Sequence, residues 1–153
     1  MFIQNNLIYK RLINLGVCPR KTYSDDLSIF DNISKGLINH FIRGFFDGDG
    51  TVYFDKNYGN CTIGFIGRLS LMSKLKEILK TIGISEKSLN IYNVKKSETY
   101  ELRCGARKEI VKFKEFIYLE NTISLERKFD RLMKVIPKRS SIEEALINVR
   151  FKL

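Results

Sequence analysis

Asp47 and Asp49 close the run Phe41-Ile42-Arg43-Gly44-Phe45-Phe46-Asp47-Gly48-Asp49-Gly50, which sets two carboxylates where an apolar helix should stop. Leu37, Ile38, Phe41, Ile42, Phe45 and Phe46 recur at helical spacing, so the sequence predicts a helix with one buried stripe that ends at Gly48-Asp49-Gly50. The C-terminal end of a helix carries the negative pole of its dipole, and further negative charge there is unfavourable. A bound cation resolves that conflict. A calcium loop of the EF-hand type does not fit, because Thr51 stands where a third oxygen ligand is usual and no glutamate closes the loop. The competing reading is a capped helix running into a turn, with both acids merely solvated. The whole block favours chemistry over that reading. Gly44 and Gly48 lie one turn apart and admit a second backbone closely, and Thr51-Val52-Tyr53-Phe54 then alternates like a strand.

The elements that would position these acids follow from the patterning downstream. Residues 51–56 and 60–67 read as two strands joined through a turn-rich Asn57-Tyr58-Gly59-Asn60. Val52 and Phe54 fall on one face and Tyr53 and Asp55 on the other; Cys61, Ile63 and Phe65 divide in the same way from Asn60, Thr62 and Gly64. Leu71, Leu75, Ile78, Leu79 and Ile82 predict an amphipathic helix over 69–82, ended by Gly83. A second strand pair is expected over 88–96 and 98–105, then helices over 108–119 and 125–136, the last stopped by Pro137. Ser140 or Ser141 can cap a short final helix.

The segment Ile42 to Gly50 resembles the signature of the LAGLIDADG homing endonucleases, and the resemblance extends through the following elements to about Ile136. It implies an α+β fold, αββαββα, whose four antiparallel strands form a saddle over double-stranded DNA. It also implies a site-specific endonuclease that hydrolyses phosphodiesters with Mg2+ or another divalent cation. In that family the motif helices of two repeats pack together, a role that falls here on Gly44, Phe45 and Gly48. The second acid of each motif binds the metal, so Asp49 is the implied catalytic ligand, with the backbone carbonyl of Gly48 beside it. Asp47 looks like a structural helix-end residue. Leu125-Glu126-Arg127-Lys128 is similar to the family segment with an active-site lysine, and Lys128 matches best. Arg43 departs from the small alanine of the consensus, a bulk that works against a symmetric, close helix pair. A twisted antiparallel ribbon fits the major groove. Its wet face would offer Tyr53, Asp55, Asn57, Asn60, Thr62, Thr99, Glu101 and Arg103 to base edges, with Arg68, Lys95, Lys96, Arg107 and Lys108 toward phosphates. Each of these also fits an ordinary polar position on a half-exposed sheet, and Lys128 an ordinary solvated helix charge.

Composition agrees with such a partner. The chain has 153 residues, 44% of them hydrophobic, enough for one domain with a real core. Its net charge of +10 and pI near 9.6 suit a polyanion, although basicity alone is weak evidence. There is no membrane-spanning run, no long amphipathic basic helix, and the start Met1-Phe2-Ile3-Gln4-Asn5-Asn6 turns polar at once, so a membrane partner and a signal peptide are not expected. The three cysteines, Cys18, Cys61 and Cys104, lack paired spacing and read as reduced core thiols of a cytoplasmic protein. The single His40 reads as a packing residue, and zinc has no ligand set.

An internal comparison divides the chain. Ile8, Leu12, Leu15, Gly16 and Val17 recapitulate Leu75, Leu79, Ile82, Gly83 and Ile84, with 67 positions between the two glycines. Helix grammar alone can produce such a match, yet only one Asp-x-Asp-Gly motif occurs. Residues 1–33 therefore read as a helical segment left from a preceding repeat, 34–136 as the endonuclease domain and 137–153 as a helical tail. One motif supplies one acid, so cutting both strands calls for a second copy, most simply as a homodimer through the motif helix. Two alternatives keep the same scaffold: a non-catalytic DNA- or RNA-binding protein, such as a regulator or intron maturase, and an inactive truncated descendant of a two-repeat enzyme.

Overall fold

The computed structural model describes residues 5–17, 27–54, 60–94, 97–118 and 123–135; Cys18, Asp55, Asn57, Lys95, Lys96 and the segment 137–153 lie outside them. The described elements are α1 (Asn6–Asn14), α2 (Ile29–Asn32), α3 (Ile38–Asp49), β1 (Thr51–Phe54), β2 (Cys61–Gly67), α4 (Leu69–Thr81), β3 (Leu89–Asn93), β4 (Tyr100–Cys104), α5 (Arg107–Ile117) and α6 (Glu126–Met133). From α3 onward this is the expected α-β-β-α-β-β-α order, with α6 added. The four strands form one antiparallel sheet in the order β1-β2-β4-β3, so β2 and β4 are its central pair.

Strict alternation gives the sheet its two faces. Val52, Cys61, Ile63, Phe65, Leu89, Leu102 and Cys104 are buried on the dry side. There α3 and α5 lie against β2 and each other, α4 covers β2, β3 and β4, and α6 runs along β1. The centre is aromatic: Phe46 of α3, Phe65 of β2 and Phe113 of α5 meet with ring centroids 5.0 to 5.8 Å apart. Such edge-to-face and tilted pairs add to the gain from area burial alone. They also fix the end of α3 against the sheet, because Phe46 is the residue before Asp47.

The two glycines paired in the internal comparison cap their helices alike. Gly16 and Gly83 both take positive φ, 91° and 84°, the left-handed conformation that favours glycine after a helix. Gly16 donates to the Ile13 carbonyl and Val17 to that of Leu12; at the same spacing Gly83 donates to the Lys80 carbonyl and Ile84 to that of Leu79. Burial is where the two differ. Leu75, Leu79 and Ile84 are in the core, whereas their counterparts Ile8, Leu12 and Val17 are 38 to 45% exposed. Nothing in α1 is buried, so local sequence built the same cap twice and the sheet covers only one copy.

Cys61 and Cys104 are free thiols, buried under the sheet. Burial pushes both up to about 11 from an ordinary 9.0. The folded state therefore favours the neutral thiol: this contribution is fully present below pH 9 and is lost as pH rises through about 11, since unfolded thiols ionise first. We expect Cys61 and Cys104 to resist iodoacetamide at pH 8 in native protein and to react once urea unfolds it. Peptide mass mapping checks this, and full labelling of native protein at pH 8 would contradict the burial.

Candidate active site and nucleic-acid face

The end of α3 is held by three separate elements. Asp47 uses both carboxylate oxygens inside the fold: Oδ1 accepts the Tyr118 hydroxyl at 2.8 Å and Oδ2 accepts the Leu125 backbone N–H at 3.1 Å. Tyr118 caps the end of α5 and Leu125 starts α6, so one side chain fastens three helices together. Burial, followed by the hydrogen bond to Asp47, drives the Tyr118 phenol well above its usual range, which keeps it a donor.

Lys128 approaches the same helix end from below. It is 4% exposed, and its Nζ donates to the carbonyls of Phe46 at 2.6 Å and Asp47 at 2.8 Å. The ammonium also lies 5.4 Å from the centre of the Phe46 ring, within cation–π range. Helix ends leave carbonyls without intrahelical donors; here a buried cation fills that need and opposes the negative pole of the dipole. Burial, and then the neighbouring charge of Arg127, lower the Lys128 pKa, while Asp47 and Asp49 pull it back up. Lys128 is thus neither a solvated helix charge nor distant from the acids. Sequence patterning alone gave no sign of its burial.

Asp49 and Gly48 are exposed at the mouth of this arrangement. Gly50 caps the helix, donating its N–H to the Phe46 carbonyl at 2.9 Å. Gly44 and Gly48 face open space: a methyl built on either would meet nothing within 4 Å. Phe45, grouped with them from the sequence, is half-buried, its ring stacking on Phe65 at 5.7 Å. His40 is corrected from a packing residue to an exposed one, 3.0 Å from Arg43 Nη1 through Nδ1.

Oxygen donors of this kind, one carboxylate beside exposed backbone, suit a hard divalent cation such as Mg2+, which keeps several waters and takes few protein ligands. Among the described residues no cluster of three or more His, Cys, Asp or Glu could enclose a metal. The donor type fits such an ion, with Asp49 and the Gly48 carbonyl as the residues that would hold it.

The wet face of the sheet carries Tyr53, Thr62, Glu101 and Arg103, as the alternation predicted, with Asn60 exposed just before β2. Thr99 is half-buried and holds the β3–β4 connection through its backbone, while Arg68 at the start of α4 pairs with Glu98 at 3.2 Å. Arg107 and Lys108 open α5. Three further side chains share the face: Thr51, Asn90 and Tyr92, all exposed and in register with Gly64, Arg103 and Glu101. Alternation of Leu89 and Ile91 with Asn90 and Tyr92 was the available signal for the last two.

The LAGLIDADG-like domain family matches residues 36–118, more than half of the chain. Among solved structures, the homing endonuclease I-TnaI is 20% identical over 63% of this chain and 67% of its own, with a TM-score of 0.45. The archaeal intron-encoded homing endonuclease I-Vdi141I, complexed with DNA, is 20% identical over 75% and 72%, with a TM-score of 0.46. The homing endonuclease I-CvuI, in complex with the I-CreI target and 2 mM Mg with the DNA not cleaved, is 15% identical over 64% and 62%, with a TM-score of 0.43. The chain spans about two thirds of the length of these structures. No curated protein matches it.

Proposed function

This chain belongs to the LAGLIDADG-like domain family, and we propose that it acts as a site-specific endonuclease on double-stranded DNA, with two copies meeting through the motif helix. The observation that carries the reading is the arrangement at the end of α3, where Asp47 and Lys128 fasten the helix end inside the fold and Asp49 and Gly48 are exposed beside them. The open Gly44 and Gly48 face supports close approach of a second helix, which would bring two Asp49 carboxylates together across a dyad.

Hydrolysis here means attack of water on a backbone phosphorus, breakage of one P–O bond and delivery of a proton to the departing oxygen. Asp49, with the Gly48 carbonyl, would hold a divalent cation at that phosphate. Such an ion, when bound, supplies Lewis-acid stabilisation and lowers the pKa of water. Lys128 Nζ has three donors and gives two to carbonyls. The third would stabilise charge on the phosphate from beside Asp49. The wet sheet face would lie in the major groove and set the register of the scissile bond.

A second reading, pairing with a different subunit rather than with itself, is favoured by α1, whose cap matches that of α4 while its apolar face is uncovered. Selection of cleaved and bound duplexes from a randomised library, in magnesium and in EDTA, tests the proposal. Palindromic sites cut only in magnesium, with two chains per duplex in sedimentation, are the expected result. Half-site binding without cutting would support pairing with another subunit, and failure to retain any duplex would remove the nuclease reading.

A further inference from the structure

The central strand β4 carries a side-chain arrangement that a uniform wet face does not require. Glu101 and Arg103 are two residues apart on one face, and Arg103 Nη2 donates to Glu101 Oε2 at 2.7 Å. The two are not equally available: the Glu101 side chain is 14% exposed and that of Arg103 is 53% exposed. Glu101 is recessed because Gly64 leaves room for it. A Cβ at position 64 would lie 2.8 Å from Glu101 Oε1 and 2.7 Å from Thr51 Oγ1, so any side chain there would have to displace the carboxylate. On its other flank the Arg103 guanidinium sits 5.5 Å from the ring centre of Tyr92, the residue opposite Glu101 on β3. A carboxylate on one side and an aromatic face on the other thus hold the one cation among the described strand residues.

We propose that Arg103 is a guanine-reading side chain, preorganised by Glu101 and Tyr92 over the recess at Gly64; this rests on the double-stranded DNA reading above. Arginine reads guanine by donating two parallel hydrogen bonds to O6 and N7 in the major groove. Glu101 takes one of the five guanidinium N–H donors and leaves the remainder for a base. Fixing the side chain before binding removes most of the ordering cost of the contact. Glu101 also makes the location a poor phosphate site, because its carboxylate would face the phosphate oxygens. Glu101 becomes a positioning residue rather than the base reader that alternation alone makes it.

The test is selection of bound duplexes from a randomised library in EDTA, so that binding is scored apart from cleavage, for the wild type, Arg103→Ala, Arg103→Lys and Glu101→Gln. The wild type should show a guanine preference of about 5- to 100-fold at one position per half-site. Arg103→Ala should erase that preference and leave the others, Arg103→Lys should retain a small part of it, and Glu101→Gln should keep guanine with several-fold weaker discrimination. An unchanged profile in Arg103→Ala, with duplex binding intact, overturns this inference alone. Equal weakening on all sequences, with a salt dependence reduced by about one phosphate, also overturns it by making Arg103 a backbone contact. No duplex binding by the wild type overturns the DNA reading and this inference with it. Unfolding curves for each variant guard against loss of fold, which the exposure of Arg103 makes unexpected.

Discussion

Asp49→Asn should cut DNA at least about 100-fold more slowly than the wild type while binding the same duplex as tightly or more tightly. The magnitude follows from the position of the carboxylate. Groups one shell removed from a metal typically cost up to about 100-fold when changed, and a direct ligand should exceed that. The opposite sign for binding is a charge argument. An exposed acid near phosphates repels them, and at a few ångströms in water such a pair is worth at most about 1 kcal/mol, so its removal should tighten metal-free binding by about two- to fivefold. The substitution preserves shape and Asp49 is exposed, whereas the two oxygens of Asp47 hold Tyr118 and Leu125 within the fold. Single-turnover cleavage over a magnesium titration, with binding measured in EDTA, reads both effects. Cleavage at the wild-type rate in Asp49→Asn would take this acid out of the reaction.

The fold was largely legible because its elements announce themselves by period. Leu75 and Leu79 mark α4, Cys61, Ile63 and Phe65 mark β2, and each took its place in the core. Part of the site was legible for the same reason: the acids end a periodic helix, so their location needed no tertiary information. What stayed hidden depends on contacts between elements distant in sequence. The resemblance marks Lys128 as an active-site lysine, but its burial as a cap comes only from the meeting of α6 with the end of α3. Glu101 and Arg103 look equivalent by alternation; the difference between them comes from Gly64 on the neighbouring strand. Pairwise register across β2, β3 and β4 decides the case of Glu101 and Arg103, and alternation within a single strand does not contain it.

Lys128→Met should destabilise the protein by about 1–2 kcal/mol and slow cleavage by about 100-fold, and the gap between the two numbers decides what the lysine is for. Two terms oppose each other in stability. Removing the ammonium takes a donor from the Phe46 and Asp47 carbonyls, a loss on the order of 1–3 kcal/mol for a buried acceptor left short. It also relieves burial of a charge, the cause that lowers the Lys128 pKa. Phe46 keeps the Gly50 N–H as a second donor, which limits the damage. A loss of that size leaves a domain of ordinary stability almost wholly folded, so unfolding cannot account for a 100-fold fall in rate. Losing one charged donor at the reacting phosphate can, since single preorganised donors contribute about 100- to 1,000-fold. The pH profile separates the two roles further. If the charge itself is needed, wild-type cleavage should fall as pH rises through the lowered lysine pKa, and Lys128→Met should lose that alkaline decline. Urea unfolding and single-turnover rates on the same preparations measure both quantities. A rate loss no larger than the folded fraction explains, or an alkaline limb unchanged in the variant, would reduce Lys128 to the structural cap of α3.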